Sequence, residues 1–289
     1  MDKIVLNNGF EIPRMGFGTY PQKETLPESA RIASAAGYSL FDISDNYNNE
    51  EFLGRAVAGG FCGAEGDVVV SKFSQAFRTR RLRRCFEESR AKLSGKLDVY
   101  LLHWPYPFLW KAQWRRMEKL YLAGKCRAIG VCNFEVPKLK ELLAFARVKP
   151  AINQIERHPL FQQNEIADFC KANGIQVMAY SPLGRQDAEM FGQEVLRDLA
   201  KKHSKSVGQI VLRWNVDTGA IPIPGSKSPE HIRENADIFD FSLTKEEIER
   251  INGLDAGKRI RFDPKTRFSW KRKARFFVTR ILLPFLPGD

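Results

Sequence analysis

Short apolar runs recur along the chain, and the segments between them carry helical signals. The runs occupy residues 14–18, 39–43, 68–71, 98–102, 127–131, 151–154, 176–180 and 220–223. Most are separated by about 25 to 30 residues, which is enough for a loop and one helix. Eight strands that alternate with helices predict an α/β fold of the (β/α)8 TIM-barrel type.

A doubly wound open sheet is the alternative arrangement for such a pattern. That fold usually carries a G-x-G-x-x-G sequence directly after a strand, and this chain has none. The segment Gly16-Phe17-Gly18 continues without the third glycine. The barrel is therefore the main prediction.

Glycines mark the ends of several predicted helices. These helices span residues 27–36, 79–93, 110–123 and 165–173. A glycine just beyond a helix readily adopts the left-handed conformation that ends it. Ahead of the first barrel strand, the segments Ile4-Val5-Leu6 and Phe10-Glu11-Ile12 flank the turn sequence Asn7-Asn8-Gly9, which predicts an N-terminal β-hairpin.

The positive charge of the chain is concentrated near its end. The net charge is +12 from 46 basic and 34 acidic residues, and ten of the basic residues lie at or after position 258. Only two acidic residues share that stretch, so the body of the protein is close to neutral. This distribution gives no reason to expect nucleic-acid binding, which more often places charge on the folded body.

The charge pattern also divides the chain into two parts. Residues 1–263 form the predicted barrel domain, and residues 264–289 form a basic amphipathic C-terminal tail. Trp270, Ala274, Phe277 and Ile281 recur there at helical spacing among basic residues. The tail is expected to be an extra helix packed on the barrel or an interfacial helix that contacts an anionic membrane or a protein partner.

The remaining composition favours a cytoplasmic protein without a bound metal. The five cysteines contain no C-x-x-C pair, and the four histidines contain no H-x-x-x-H pair. The first residues lack a secretory apolar segment, and no apolar run approaches the ~18 residues that span a bilayer.

Polar residues follow the predicted strands where a TIM barrel carries its chemistry. Active sites of this fold lie at the carboxyl ends of the strands. Seven strands are followed by such a residue: Asp42, Lys72, His103, Asn133, Gln154, Ser181 and Ser226. Their shared position predicts that they converge at one rim of the barrel.

Four residues near this rim suit proton transfer to a carbonyl oxygen. Tyrosine is a weak acid with a usual pKa of about 10, and a buried ammonium such as Lys72 is expected to lower the pKa of Tyr47. Asp42 would hold Lys72 in place, and His103 would hydrogen-bond the carbonyl. Tyr47 could then donate a proton as hydride reaches the carbonyl carbon.

The motifs that contain these residues resemble those of the aldo-keto reductase family. The resemblance begins with NNGFEIPRMGFGTY and FDISDNYNNEEFLGRAV and continues with VSKF and LLHWP. It extends through GKCRAIGVCNF, NQIERHP, AYSPLG and IPGSKSPEHIREN. The similar region runs from about residue 3 to residue 255, with its motifs in the family's order.

The resemblance implies NADPH-dependent reduction of aldehydes or ketones to alcohols. Tyr47 would be the general acid, with Asp42, Lys72 and His103 as the other catalytic residues. The implied substrate contacts are Tyr20, Tyr47, His103 and Trp104. The implied cofactor contacts are Gly18, Thr19, Tyr20, Asp42, Cys132, Asn133, Gln154, Tyr180, Ser181, Leu183, Gly225, Ser226, Lys227, His231, Glu234 and Asn235.

Three positions depart from the family pattern. His231 stands where the family usually has an arginine, and Arg233 lies nearby. Cys132 stands where the family usually has serine, which replaces a hydroxyl donor with a weak thiol donor. Gly225 stands where the family usually has the lysine that meets the 2′-phosphate of NADPH, and Lys227 follows two residues later. NADPH is the expected cofactor and NADH is the alternative.

Two other functions are consistent with the same sequence. The barrel could be an NADP(H)-binding regulatory or redox-sensing module whose tail binds a partner. It could also be an enzyme that its tail recruits to a membrane, where it would act on lipid-derived aldehydes. No motif indicates the physiological carbonyl substrate, the direction of the reaction or the oligomeric state.

Overall fold

All eight predicted barrel strands are present in the computed structural model, which describes residues 2–261, 263 and 264. The hairpin strands β1 (Lys3–Val5) and β2 (Glu11–Pro13) pair antiparallel. The barrel strands are β3 (Phe17–Gly18), β4 (Leu40–Asp42), β5 (Val68–Phe73), β6 (Val99–Leu102), β7 (Ala128–Cys132), β8 (Ile152–Glu156), β9 (Gln176–Tyr180) and β10 (Ile221–Pro222).

The barrel strands run parallel in chain order and close on themselves. Neighbouring strands pair in the order β10-β9-β8-β7-β6-β5-β4-β3. The two ends of this sheet meet where the Gly16 N–H donates to Pro222 O at 3.0 Å and the Gly18 N–H donates to Pro224 O at 2.9 Å. The predicted (β/α)8 barrel and N-terminal hairpin are therefore confirmed.

Helices follow the strands and cover the outside of the barrel. They are α1 (Leu26–Ala35), α2 (Glu50–Ala58), α3 (Leu82–Lys92), α4 (Trp110–Leu122), α5 (Val136–Phe145), α6 (Asn164–Ala172), α7 (Ala188–Phe191), α8 (Glu194–His203), α9 (Val207–Asp217), α10 (Pro229–Ala236) and α11 (Lys245–Asn252). The predicted helix over 79–93 begins as a tighter 3-10 turn at Ala76–Arg81 before α3. Gly37 ends α1 with φ at 93°, as its sequence position predicted.

Successive side chains of each buried strand point alternately into and out of the barrel, so the core has two layers. Leu40, Val68 and Val99 belong to the cluster inside the barrel, together with Leu6 and Phe10 of the hairpin. The hairpin therefore closes the end of the barrel opposite to the carboxyl ends of the strands. Alternate residues of the same strands, such as Phe41, Val69 and Tyr100, pack outward against the helices.

The predicted C-terminal tail lies almost entirely outside the described residues, so its amphipathic helix stays a prediction. Among the residues that the structure does describe, every helix is too short or too polar to cross a lipid bilayer. In the same part of the chain, no three His, Cys, Asp or Glu side chains are arranged to hold a metal ion.

Candidate active site

A cavity of about 700 Å³ opens at the carboxyl ends of the barrel strands. Its volume is in the range of small-molecule binding sites. Most of the residues singled out from the sequence line it: Gly18, Thr19, Tyr20, Asp42, Tyr47, His103, Trp104, Asn133, Gln154, Tyr180, Ser181, Leu183, Gly225, Ser226, His231, Glu234 and Asn235. Positions more than 200 residues apart in sequence are thus brought to one site.

Three of the residues singled out from the sequence do not line the cavity. Lys72 and Cys132 are fully buried beneath its floor, on β5 and β7. Lys227 lies in the exposed loop between β10 and α10. Lys227, the candidate replacement for the family's phosphate ligand, is therefore not part of the cavity wall.

A buried ion pair lies at the floor of the site, where Asp42 lines the cavity and Lys72 is buried beneath it. Lys72 Nζ lies 2.8 and 2.7 Å from the two Asp42 carboxylate oxygens and donates to Ile43 O at 2.7 Å. Gln154 Nε2 donates to Asp42 Oδ1 at 2.7 Å. Burial lowers the pKa of Lys72, but the Asp42 carboxylate and the other neighbours raise it by more, so the amine is held as an ammonium.

Tyr47 lies above this pair, and its pKa differs from the expectation. Lys72 Nζ is 5.0 Å from the centre of the Tyr47 ring and lowers the pKa of the phenol. Burial acts in the opposite direction and is the larger effect, so the pKa of Tyr47 rises to about 12. The expected net lowering was wrong because desolvation of the phenolate outweighs the ammonium. Tyr47 therefore keeps its proton at neutral pH.

His103 stands beside Tyr47 with its ring held by hydroxyl groups. The two ring centroids are 5.9 Å apart, and the imidazole stacks on Trp104 at an interplanar angle of 16°. Ser74 Oγ and Ser44 Oγ lie 2.6 and 3.1 Å from His103 Nδ1. One edge of the imidazole is thus tied to the protein while the ring lines the cavity.

An amide-rich wall lies next to these four residues. Tyr180 donates its hydroxyl proton to Asn133 Oδ1 at 2.8 Å, and Asn133 Nδ2 donates to His103 O at 3.1 Å. The Gln154 amide and the Tyr180 ring line the same part of the cavity. Amide groups beside an aromatic ring provide both hydrogen bonds and a stacking surface, which fits a nicotinamide ring with its carboxamide.

The far end of the cavity suits phosphate groups. Ser206, Val207 and Gly208 line it at the N-terminus of α9, where backbone N–H groups and the helix dipole favour anions. His231 and Asn235 of α10 continue the lining. The residues present therefore fit an extended dinucleotide that runs from Tyr47 to α10.

Several cavity residues escaped the sequence reasoning. They include Asn46, Arg185, Gln186, Phe191, Ser206, Val207, Gly208 and Arg261. The sequence Ser206-Val207-Gly208-Gln209 does carry a readable signal, because Ser and Gln three residues apart form the capping box seen at α9. No local sequence motif marks Arg261. It lines the cavity only because the chain folds back towards the barrel after α11.

Comparison with known proteins places the chain in a family. The sequence profile of the aldo/keto reductase family matches residues 14–256. The glyoxal reductase of Bacillus subtilis is 40% identical over 269 residues, which cover 91% of this chain and 96% of that protein. The methylglyoxal reductase DkgA of Escherichia coli K12 is 37% identical over 265 residues, covering 90% and 96%.

Solved structures agree with the sequence comparison. An aldo-keto reductase from a Medee basin deep-sea metagenome library matches with a TM-score of 0.86 and 34% identity, covering 90% of this chain and 97% of that one. The Bombyx mori aldo-keto reductase, solved in complex with NADP, matches with a TM-score of 0.85 and 31% identity, covering 92% and 97%. The chain belongs to the aldo/keto reductase family. It is an oxidoreductase, as its sequence predicted.

Proposed function

We propose that this protein reduces aldehydes or ketones to alcohols with NADPH, and that Tyr47 donates the proton. The observation that carries the proposal is the position of Tyr47 between the Lys72 ammonium below it and the His103 imidazole beside it. A phenol that stays protonated at neutral pH is available as a proton donor. The ammonium stabilises the phenolate that remains after transfer.

Each of the other three residues has a part in this step. Asp42 fixes Lys72 through two short contacts, so the ammonium cannot turn away from the phenol. His103 lies where it can hydrogen-bond the same substrate oxygen that receives the Tyr47 proton. When bound, the nicotinamide supplies the hydride.

The amide wall and the far end of the cavity would bind the cofactor. Asn133 and Gln154 would hold the carboxamide, and Tyr180 would stack on the nicotinamide ring. Gly18, Thr19, Tyr20, Ser181, Leu183, Gly225, Ser226, His231, Glu234 and Asn235 would line its path, with Asp42 and Cys132 beneath the nicotinamide.

NADPH is proposed over NADH because Lys227 follows the place of the usual phosphate ligand. Its long flexible stem allows an exposed ammonium to fold back onto a 2′-phosphate. The NADP complex of the Bombyx mori relative supports the same preference. NADH is the alternative if Lys227 stays in solvent.

The substrate end of the cavity is lined by aromatic side chains. Tyr20 and Trp104 line it, and the Tyr20 ring centroid is 4.9 Å from that of Tyr47. Such walls suit compact carbonyl compounds, and two relatives are named for glyoxal and methylglyoxal reduction. Small dicarbonyls are therefore the first compounds to test.

The decisive experiment compares Tyr47→Phe with the unchanged protein. Loss of a general acid is expected to lower NADPH-dependent reduction about 10²- to 10⁴-fold. NADPH binding, followed by fluorescence titration, is expected to stay within a few-fold because the phenol oxygen is not a cofactor ligand in this proposal.

A matched control is Tyr38→Phe, which removes a buried hydroxyl without a hydrogen-bond partner in the described residues. That variant should keep full turnover. Unchanged reduction in Tyr47→Phe, or loss of NADPH binding in it, would contradict the proposed role. A panel of aldehydes and ketones with both NADPH and NADH measures the cofactor preference in the same assay.

The regulatory alternative and the tail remain separate proposals. Relatives named as reductases support turnover over a purely regulatory module. We keep residues 1–263 as the barrel domain and residues 264–289 as a tail for a membrane surface or a protein partner. The five cysteines are buried and unpaired, which fits the proposed cytoplasmic location.

A further inference from the structure

Basic side chains are gathered on one side of the barrel, around α3 and α4. Residues 78–119 contain twelve basic and four acidic residues, whereas the rest of the chain up to residue 257 contains 24 basic and 28 acidic ones. The barrel domain is therefore close to neutral as a whole but strongly polarised. A local excess of this size produces a positive surface potential that attracts anions.

Four of these cations lie at the end of the barrel that carries the active site, and we call them the basic rim. Arg80 and Arg81 belong to the 3-10 turn after β5. Arg83 lies in the first turn of α3, and Lys111 lies in the first turn of α4. All four side chains are exposed, and none of them forms an ion pair with another described residue.

Hydrogen bonds join the two parts of the basic rim. Gln113 Nε2, in the first turn of α4, donates to Thr79 Oγ1, next to Arg80, at 3.1 Å. Tyr106, in the loop that leads to α4, donates its hydroxyl proton to Ser74 O just after β5 at 2.7 Å. The segments before α3 and α4 are thus held side by side, so that their cations form one surface.

These cations do not stabilise the helices that carry them. The N-terminus of a helix has a partial positive charge, so acidic side chains are favourable in the first turn and basic ones are not. α2 and α11 each place two glutamates there. The first turns of α3 and α4 instead hold Arg83, Arg84 and Lys111, without an acidic residue. A binding role accounts for this placement, whereas helix stability does not.

An exposed aromatic ring lies beside the basic rim. Phe108, two residues before α4, is 95% exposed. In water such a ring forgoes the free energy of burial. At a lipid surface it can enter the acyl boundary while the guanidinium groups stay with the phosphates of the headgroups. Sites for single-stranded nucleic acids instead use several stacked aromatic rings, and Phe108 is the one exposed ring in the described part of α3, α4 and the loop between them.

We propose that the basic rim, together with Phe108, binds an anionic lipid surface. The active-site cavity opens at the same end of the barrel, so its mouth faces the lipid in this orientation. The basic rim belongs to the folded barrel and is distinct from residues 264–289, whose binding is a separate proposal. Binding at the rim does not depend on which carbonyl compound the enzyme reduces.

Cosedimentation of the full chain with vesicles measures this binding. Vesicles of equal parts phosphatidylserine and phosphatidylcholine should bind the protein, and vesicles of phosphatidylcholine alone should bind it much more weakly. Each cation at an anionic surface contributes about fivefold in affinity, so Arg80→Gln/Arg81→Gln/Arg83→Gln should bind on the order of 100-fold more weakly. Arg80→Lys/Arg81→Lys/Arg83→Lys keeps the charges and should bind within a few-fold of the unchanged protein. Added salt should weaken binding of the unchanged protein.

Matched controls separate the basic rim from net charge and from general apolar exposure. The variant Arg197→Gln/Lys201→Gln/Lys245→Gln removes the same charge from exposed positions on α8 and α11, on the opposite side of the barrel. It should bind vesicles much as the unchanged protein does. Phe108→Ser should lower the vesicle affinity several-fold, whereas Leu122→Ser, at an exposed apolar position at the other end of α4, should not.

The outcomes of these comparisons are distinct because every variant keeps residues 264–289. Unchanged binding in the glutamine variant of the basic rim would overturn the proposal, as would an equal loss in the control on α8 and α11. Failure of the unchanged protein to bind phosphatidylserine vesicles would overturn it as well. Titration with labelled single-stranded RNA tests the other polyanion. Tighter binding to RNA than to vesicles, lost in the same variant, would assign the surface to nucleic acid instead. Thermal unfolding should be the same for all variants, since each substituted side chain is exposed.

Discussion

Lys72 and Asp42 form an ion pair that is almost completely removed from solvent. The Lys72 side chain is 0% and the Asp42 side chain 4% exposed. Burying two charges costs several kcal/mol each, and this cost is recovered only while both partners and their hydrogen bonds are in place. Such a pair is more easily explained by its use at the Tyr47 phenol than by a gain in stability.

Replacing Lys72 with methionine tests how the ion pair affects both the stability of the protein and its activity. The variant leaves the Asp42 carboxyl buried without its cation, so we expect a loss of about 3 to 5 kcal/mol in the free energy of unfolding. Carbonyl reduction should fall with it, because no ammonium remains to stabilise the Tyr47 phenolate. Urea unfolding and NADPH oxidation measure the two effects.

A double variant separates stability from chemistry. Asp42→Asn/Lys72→Met removes both charges, and it should regain part of the lost stability without regaining turnover. Recovery of turnover in the double variant would show that the ammonium is not needed for the reaction.

Glu247 joins α11 to α8. It accepts the Thr244 backbone N–H in a capping box and lies 2.7 Å from Lys202 Nζ and 3.0 Å from His203 Nε2. Burial raises the pKa of Glu247, but the Lys202 ammonium, the Thr244 N–H and His203 together lower it to about 2. A carboxyl whose pKa is lower in the folded state stabilises that state above its unfolded pKa, and this stabilisation disappears as pH falls through the folded pKa.

Glu247→Gln should therefore destabilise the protein in a pH-dependent manner. Near neutral pH we expect a loss of about 1 to 3 kcal/mol, as for hydrogen bonds to charged groups. The difference from the unchanged protein should shrink as pH falls from about 4.5 towards 2, where Glu247 itself becomes protonated. Unfolding curves at several pH values measure this, with the exposed Glu249→Gln as control. A constant difference across pH would disprove the linkage.

Glu156 attaches residues 260 and 261 to the barrel. Its carboxylate, at the end of β8, accepts the backbone N–H of Ile260 at 2.6 Å and that of Arg261 at 3.1 and 3.0 Å. Arg261 lines the cavity, and its guanidinium lies 5.4 Å from the Tyr20 ring centre. One buried carboxylate thus fixes a segment that contributes Arg261 to the wall of the cavity.

Glu156→Gln should loosen this segment selectively. An amide offers one acceptor oxygen in place of two, and its NH2 group faces the backbone donors, so the contacts to residues 260 and 261 weaken. Deuterium exchange of a peptide that covers residues 257–261 should be faster, while exchange in the barrel strands should be unchanged. The exposed Glu165→Gln on α6 is the control. Equal exchange in both variants would mean that Glu156 does not hold the segment.

Closure of the whole barrel depends on a close approach between its first and last strands. A Cβ atom at Gly225 would lie 2.3 Å from Gly18 O, and one at Gly18 would lie 2.6 Å from Ile223 O. Backbone atoms cannot yield at such distances without moving a strand. Backbone packing therefore requires a glycine at position 225, whether or not this position contacts a cofactor.

Gly225→Ala should open the junction between β3 and the segment after β10. We expect a loss of about 1 to 3 kcal/mol in stability, as for other overpacked sites, together with weaker NADPH binding because this junction lines the cavity. Gly253→Ala is the matched control, since a Cβ there meets Arg250 O at an ordinary 3.4 Å. Thermal unfolding and fluorescence titration check both effects. Unchanged stability in Gly225→Ala would show that the strands can separate without cost.

Much of the architecture was predictable because local patterns carry it. Parallel strands that are buried on both faces read as short apolar runs, and their spacing predicted the barrel before any contact was known. The site residues could be located for the same reason, since Asp42, Lys72 and His103 each stand at the end of such a run. Arg261 and Ser206 were missed because no regular strand precedes them.

The order of the elements and the kinds of side chain at the rim of the barrel follow from local sequence, because burial periodicity and turn residues are local properties. The protonation and the contacts of those side chains depend on the folded barrel. Burial raises the pKa of the Tyr47 phenol by more than the Lys72 ammonium lowers it. The sequence alone had led us to expect a lower pKa. The serines around His103 and the carboxylate that holds residues 260 and 261 come from distant parts of the chain. Desolvation and hydrogen bonding depend on such neighbours in space, and a one-dimensional pattern does not contain them.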